Sequence, residues 1–132
     1  MRNADVDAAR DPRAVARRDA GPAMVAVCEA LLREVYAHWA SRRAAHAAAG
    51  IAAPAPPHMT VARVREFLVQ AGRVGGHSVP AVLRTESYRF QTSMVRSALE
   101  ALARRGVVEH YTGLGVHGHG ETTGYEPVTG AR

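Results

Sequence analysis

The chain has 132 residues and a formal net charge of +5, a length that fits one domain or a small domain with extensions. All 17 basic residues are arginine. Arginine and the abundant alanine both have GC-rich codons, so part of the charge follows codon usage and the rest is the footprint expected of a nucleic-acid binder.

The single cysteine, Cys28, excludes an internal disulfide framework and fits a reducing cytosol. No apolar run approaches the ~20 residues of a membrane span. The N-terminus carries Arg2, Asp5, Asp7 and Asp11 without an apolar stretch, so no secretory signal is expected. Residues 1–21 mix Asp, Arg and Ala without a period and are expected to form a disordered tail. Pro22 suits the first turn of a helix that runs to about Ala49 and stops at Gly50. Met24, Cys28, Leu31, Val35 and Trp39 recur every three or four residues along it. That near-heptad seam either pairs with a second copy or packs on the rest of the chain. A Pro-rich linker, residues 51–59, follows. Because it sets the helix apart, the expectation is a homodimer through residues 22–49.

A second helix is predicted from Thr60 to Gly72, with Val61, Val64, Leu68 and Ala71 on one face and Phe67 beside it. Ser78 is the expected cap of a short third helix, VPAVLRT, which tolerates Pro80 in its first turn. Residues 86–90 connect it to the most informative stretch, Gln91 to Val108. There Val95, Leu99 and Leu102 form one apolar stripe. Thr92 and Ser93 are placed to cap the helix start, Arg104 and Arg105 suit its last turn, and Gly106 marks the stop. Val107–Tyr111 reads as a strand, Thr112–Thr123 as a glycine-rich tip, and Gly124–Val128 as a returning strand with Pro127 near its end. The fold class expected is mainly α with a small β-hairpin, that is, α+β.

The run MVRSALEALARRGVVEHY is similar to the third helix and first wing strand of bacterial winged helix-turn-helix regulators of the MarR, PadR and GntR kind. The matching positions are Ser93, Met94, Val95, Leu99, Leu102, Gly106, Val107 and Val108, and the likeness spans roughly Thr60 to Val128. The resemblance implies a winged helix-turn-helix over residues 60–129, preceded by an additional long N-terminal helix. It implies a cytoplasmic, nucleoid-associated transcription regulator, such as a repressor, that binds double-stranded DNA sequence-specifically. Helix 91–105 would enter the major groove, and the wing, 107–128, would lie on the flanking backbone or minor groove. Gln91, Thr92, Ser93, Arg96 and Ser97 are the expected groove contacts. Arg96 stands first among them, because bidentate Arg–guanine pairing is the commonest specific contact. Arg84 and Arg89 would hold phosphates, and His117 and His119 at the wing tip would approach the backbone.

Other chemistries are weaker. His110, His117 and His119 with Glu109 and Glu121 contain metal-ligating groups, but the flanking glycines and the lack of a nearby cysteine favour polar wing-tip residues. Cys28 lies on the apolar seam and reads as packing. No phosphate-binding loop, zinc-protease or nucleophile-elbow motif occurs, so neither an enzyme nor a cofactor is expected, and no feature points to a particular small-molecule effector. The alternatives are a winged-helix protein-interaction module, or a plasmid or phage architectural or replication-control protein that binds DNA.

Overall fold

The computed structural model describes residues 12–74, 76–114 and 121–128. In chain order the elements are α1 (Pro12–Ala48), α2 (Val61–Val74), α3 (Ala81–Thr85), α4 (Tyr88–Arg104), β1 (Val108–Leu114) and β2 (Glu121–Pro127). The architecture is mainly helical with one two-stranded antiparallel sheet, and no described helix is long and apolar enough to cross a membrane.

The first helix departs from expectation at its start, and its apolar seam packs on the rest of the chain, one of the two expected outcomes. It begins at Pro12, inside the stretch expected to be a tail, and runs through Pro22 for 37 residues. Residues 12–21 are therefore helical, and Pro22 lies inside the helix instead of opening it. Composition hid this, because the segment has few apolar side chains and its helicity continues from α1. The seam residues Met24, Cys28 and Leu31, with Leu32 and Tyr36, are buried in the chain's own core. They face α4, against which α1 packs, so this stripe is not free to meet a second copy. Cys28 is wholly enclosed there, and burial pushes its thiol up to about 12.

Glycine closes α1 and α4 in the same way. Gly50 has φ 71° and Gly106 has φ 73°, the left-handed region where a side chain costs energy. At the first, Gly50 N–H donates to Ala47 O and Ile51 N–H to His46 O; at the second, Gly106 N–H donates to Ala103 O and Val107 N–H to Leu102 O. These paired bonds satisfy carbonyls that a helix end leaves open. The second closure aims the chain directly into β1.

The Pro-rich segment after Gly50 is a strap, not a free spacer. It runs back along the C-terminal half of α1. Trp39 Nε1 donates to Pro54 O at 3.1 Å, and His46 Nδ1 lies 3.0 Å from Ala52 O. The Tyr36 hydroxyl sits 2.8 Å from Pro57 O and 3.3 Å from Tyr125 O. Proline carbonyls have no helical partner here, and side chains of α1 supply one. The strap ends on Met59, which is fully buried.

α2 is capped by Thr60, whose Oγ1 accepts the Arg63 N–H at 3.2 Å. It buries Val64 and Leu68 and continues past Gly72, its expected stop. α3 has Pro80 at its N-cap with no side-chain cap, so Ser78 does not play the expected role. The α3–α4 connection is only Glu86 and Ser87, shorter than the 86–90 link expected. α4 starts at Tyr88, with Ser87 Oγ accepting Phe90 N–H at 3.3 Å; Thr92 and Ser93 lie inside the helix. The hairpin strands are also longer than expected, paired from Val108↔Pro127 to Leu114↔Glu121.

Candidate nucleic-acid interface

α4 is strongly two-sided. Gln91, Val95, Ala98, Leu99 and Leu102 are buried, a spacing of three and four residues that keeps one face in the core. Arg89, Ser93, Arg96, Ser97 and Arg104 are exposed on the opposite face. This outward face has two flanks. On one side, Ser93 and Ser97 join Gly21, Val25 and Met94 along a shallow groove between α1 and α4. On the other, Arg96 and Glu100 look into an open cleft of about 630 Å³ walled by Thr60, Ala62, His110, Thr123 and Tyr125.

The cleft is organised by one carboxylate. Glu100 Oε1 accepts the Tyr125 hydroxyl at 2.6 Å and lies 3.0 Å from His110 Nε2. His110 and Tyr125 are cross-strand partners, and their rings meet edge-on, centroids 5.1 Å apart. Tyr125 N–H points away from β1 and donates to Met59 O at 2.8 Å. The pair is therefore not bonded through that amide, the arrangement in which opposed side chains come closest. The Tyr125 hydroxyl first, and His110 after it, hold the Glu100 carboxyl below the usual carboxylate range. Desolvation, then the bond to Glu100, raises the Tyr125 phenol. The negative charge on the outward face is thus turned toward the hairpin, leaving Arg89, Arg96 and Arg104 dominant on that face.

Of the nine residues expected to touch nucleic acid, four share the outward face: Arg89, Ser93, Arg96 and Ser97. Gln91 does not. It is 7% exposed, its Nε2 donates to Leu83 O and, at 3.0 Å, to Glu86 O, and its Oε1 accepts from Arg65 Nε at 3.1 Å and also from Arg65 Nη2. Gln91 is a pin between α2, α3 and α4. Thr92 is half-buried, and its hydroxyl is enclosed with no hydrogen-bond partner among the described residues, so it cannot reach a base edge. Arg84 is exposed but lines a separate recess with Arg65 and Arg73. His117 and His119 lie outside the described residues.

Two contributors, Tyr88 and Tyr125, were missed in the sequence, and a third, His110, was expected only as a polar wing-tip residue. Tyr88, 59% exposed, stands at the start of α4 with the Arg65 guanidinium 4.2 Å from its ring centroid, within cation–π range. His110 and Tyr125 set the charge of the cleft. No local signal marks the last two, because their roles depend on Glu100, reached only when the strand folds back. Among the described residues no group of three or more His, Cys, Asp or Glu side chains is placed to hold a metal ion. Compared with known protein families, curated proteins and solved structures, the chain matches none.

Proposed function

We propose that this chain is a sequence-specific double-stranded DNA-binding regulator of the winged helix-turn-helix type. In this reading α4 enters the major groove, the α3–α4 pair is the helix-turn-helix, and the β1–β2 hairpin is the wing. The observation that carries the reading is the outward face of α4. Arg89, Ser93, Arg96 and Ser97 are exposed together there, while the other face is locked in the core. A rigid helix with a polar, basic outer face is what base-edge recognition needs. The two-residue turn supports it, as does the engagement of Glu100 by the hairpin, which lowers the repulsion a phosphate would meet.

Arg96 is the expected base reader, and Arg89 is the expected phosphate contact at the helix start. Arg96→Ala should cost about 1–3 kcal/mol at one base pair and relax preference there. Arg89→Ala should weaken all sequences alike and lower the salt slope by about one. Selection from a randomised duplex pool, with salt titration of the winners, tests this directly. An enriched motif with log–log salt dependence supports the reading, and unselective binding turns it toward an architectural role. No binding at low salt refutes it and leaves protein docking, for which exposed Tyr88 is the natural anchor. Pairing of two copies through residues 22–49 would have to use the outer flank of α1, where Ala26, Ala30, Ala37, Ala40 and Ala44 are exposed at three- to seven-residue spacing. It would give a palindromic motif with half-sites about one helical turn apart.

A further inference from the structure

We propose that Tyr88 contacts the sugar–phosphate backbone of duplex DNA, its hydroxyl donating to one phosphate beside α4 and its ring held in place by Arg65. The inference rests on the regulator reading and adds to it a residue that fixes where α4 stands on the duplex. Tyr88 is the most exposed large apolar side chain among the described residues. It lies seven residues before Val95, so it shares the inner side of α4, and it reaches solvent because it belongs to the first turn. Its ring meets Arg65 of α2, away from the face that carries Ser93 and Arg96. Base edges met by that face are out of its reach, whereas the strands bordering a groove run along the flanks of the helix that fills it.

Two features set this tyrosine apart. The first is its hydroxyl. Tyr36 donates to Pro57 O at 2.8 Å and Tyr125 to Glu100 Oε1 at 2.6 Å, whereas the Tyr88 hydroxyl has no hydrogen-bond partner among the described residues. The second is how firmly the ring is placed. The Arg65 guanidinium stands 4.2 Å from the ring centroid and is itself anchored, its Nε and Nη2 both donating to Gln91 Oε1. Gln91 is buried and donates in turn to Leu83 O and Glu86 O. A line of fixed groups therefore runs from the α3–α4 turn, through Gln91 and Arg65, out to an exposed phenol. Ordering a side chain at an interface normally costs rotamer freedom on binding; here the ring is ordered beforehand.

The surroundings favour an anion. Arg65 covers one face of the ring, and Arg89, the next residue, is exposed, so a phosphate at the phenol sits in a positive field. Tyrosine is among the side chains that hold phosphate oxygens in protein–DNA interfaces, and such contacts fix register without reading sequence. A hydroxyl adds what a further arginine could not: a directional donor that brings no charge and so releases no counterion. Were the ring only a prop for Arg65, phenylalanine would serve as well, because a cation–π contact uses the ring face alone.

The test is equilibrium binding of the full chain to its selected duplex, with Tyr88→Phe as the variant that removes the hydroxyl and keeps the ring. Affinity should fall about tenfold for every sequence alike. The selected motif and the log–log salt slope should stay as in the parent, since no charge is lost. Duplexes carrying a single neutral methylphosphonate then locate the contact. The parent should lose more than the variant at one phosphate of each bound site, and the two should lose equally elsewhere. Arg65→Lys keeps the charge but not the fork on Gln91, and should weaken binding in the same sequence-independent way. A fall under about threefold in Tyr88→Phe overturns the proposal, as does an altered motif, a slope reduced by about one, or equal losses at every phosphate. Unchanged binding by Arg65→Lys overturns the role of Arg65 in placing the ring. If the parent selects no motif, the regulator reading falls and this inference with it, whereas a selective parent matched by Tyr88→Phe removes this inference alone.

Discussion

Gln91→Met is the sharpest probe of how the helices are joined. Methionine has nearly the same length and volume, so the substitution removes hydrogen bonding and little else. Gln91 donates to two carbonyls, Leu83 O and Glu86 O, and accepts from Arg65. Two neutral bonds at about 1 kcal/mol each, and a third from a half-exposed cation discounted to about 1 kcal/mol, give a loss of about 3 kcal/mol. For a chain of this size, about 4 °C per kcal/mol is expected, a fall in Tm of about 12 °C. Urea unfolding followed by circular dichroism measures the free energy, and calorimetry the Tm. Gln91→Glu adds a control of opposite sign at Arg65. It strengthens that pair but turns an acceptor toward two carbonyls, and should be as destabilised as Gln91→Met at neutral pH. A loss below about 1 kcal/mol in Gln91→Met would refute the reasoning, because orphaning a buried carbonyl costs about that much by itself.

The two helix glycines should respond in opposite directions to alanine. Gly72→Ala meets Val79 at ordinary contact distance and should raise stability by up to about 1 kcal/mol, whereas Gly106→Ala, at φ 73°, should lower it by about 1–2 kcal/mol; equal effects in urea melts contradict the backbone assignment. Tyr125 and His110 depress the Glu100 carboxyl in the folded state, so its stabilisation is present above the ordinary value near pH 4.3 and is lost as pH falls through the lowered one. The stability gap between the parent chain and Glu100→Gln should therefore hold steady near neutrality and narrow at acid pH; a gap independent of pH counts against the Glu100 cluster. Cys28, enclosed and with its thiol raised to about 12, should resist iodoacetamide in the native chain and react in denaturant, and rapid native alkylation would show that α1 lifts from α4.

Local pattern made α4 and its exit legible. Val95, Leu99 and Leu102 set the inner face, and Gly106 followed by Val107 and Val108 set the stop and the strand, all within eighteen residues. The helix start was harder, since Ser87, Thr92 and Ser93 are all acceptable caps, and the choice follows from where α3 ends. Gln91 was misread because its partner Arg65 lies 26 positions away; from sequence a buried pin and an exposed reader are both polar groups on a helix. Met24, Cys28 and Leu31 announced a buried stripe but not what covers it, as heptad spacing is the same for cis and trans packing. The segment 51–58 looked like a spacer because proline richness signals extension, and its anchors on Tyr36, Trp39 and His46 are visible only once α1 and the strap lie side by side. Thus four of the nine expected contact residues meet on one face, and the recess with Arg65, Arg73 and Arg84 owes its existence to three separate elements.

The bond from Tyr125 N–H to Met59 O has a further consequence. A two-stranded hairpin has an outer edge on each strand, and unpaired amides there invite a strand from another molecule. On β2 the central outward amide is already occupied by the strap, at 2.8 Å. A strand from another chain that sought to add to β2 would first have to displace Met59 from the core. The proline-rich strap thereby guards the sheet against edge-to-edge aggregation, and cutting the chain within residues 51–58 should convert a covered sheet edge into one prone to fibrous self-association.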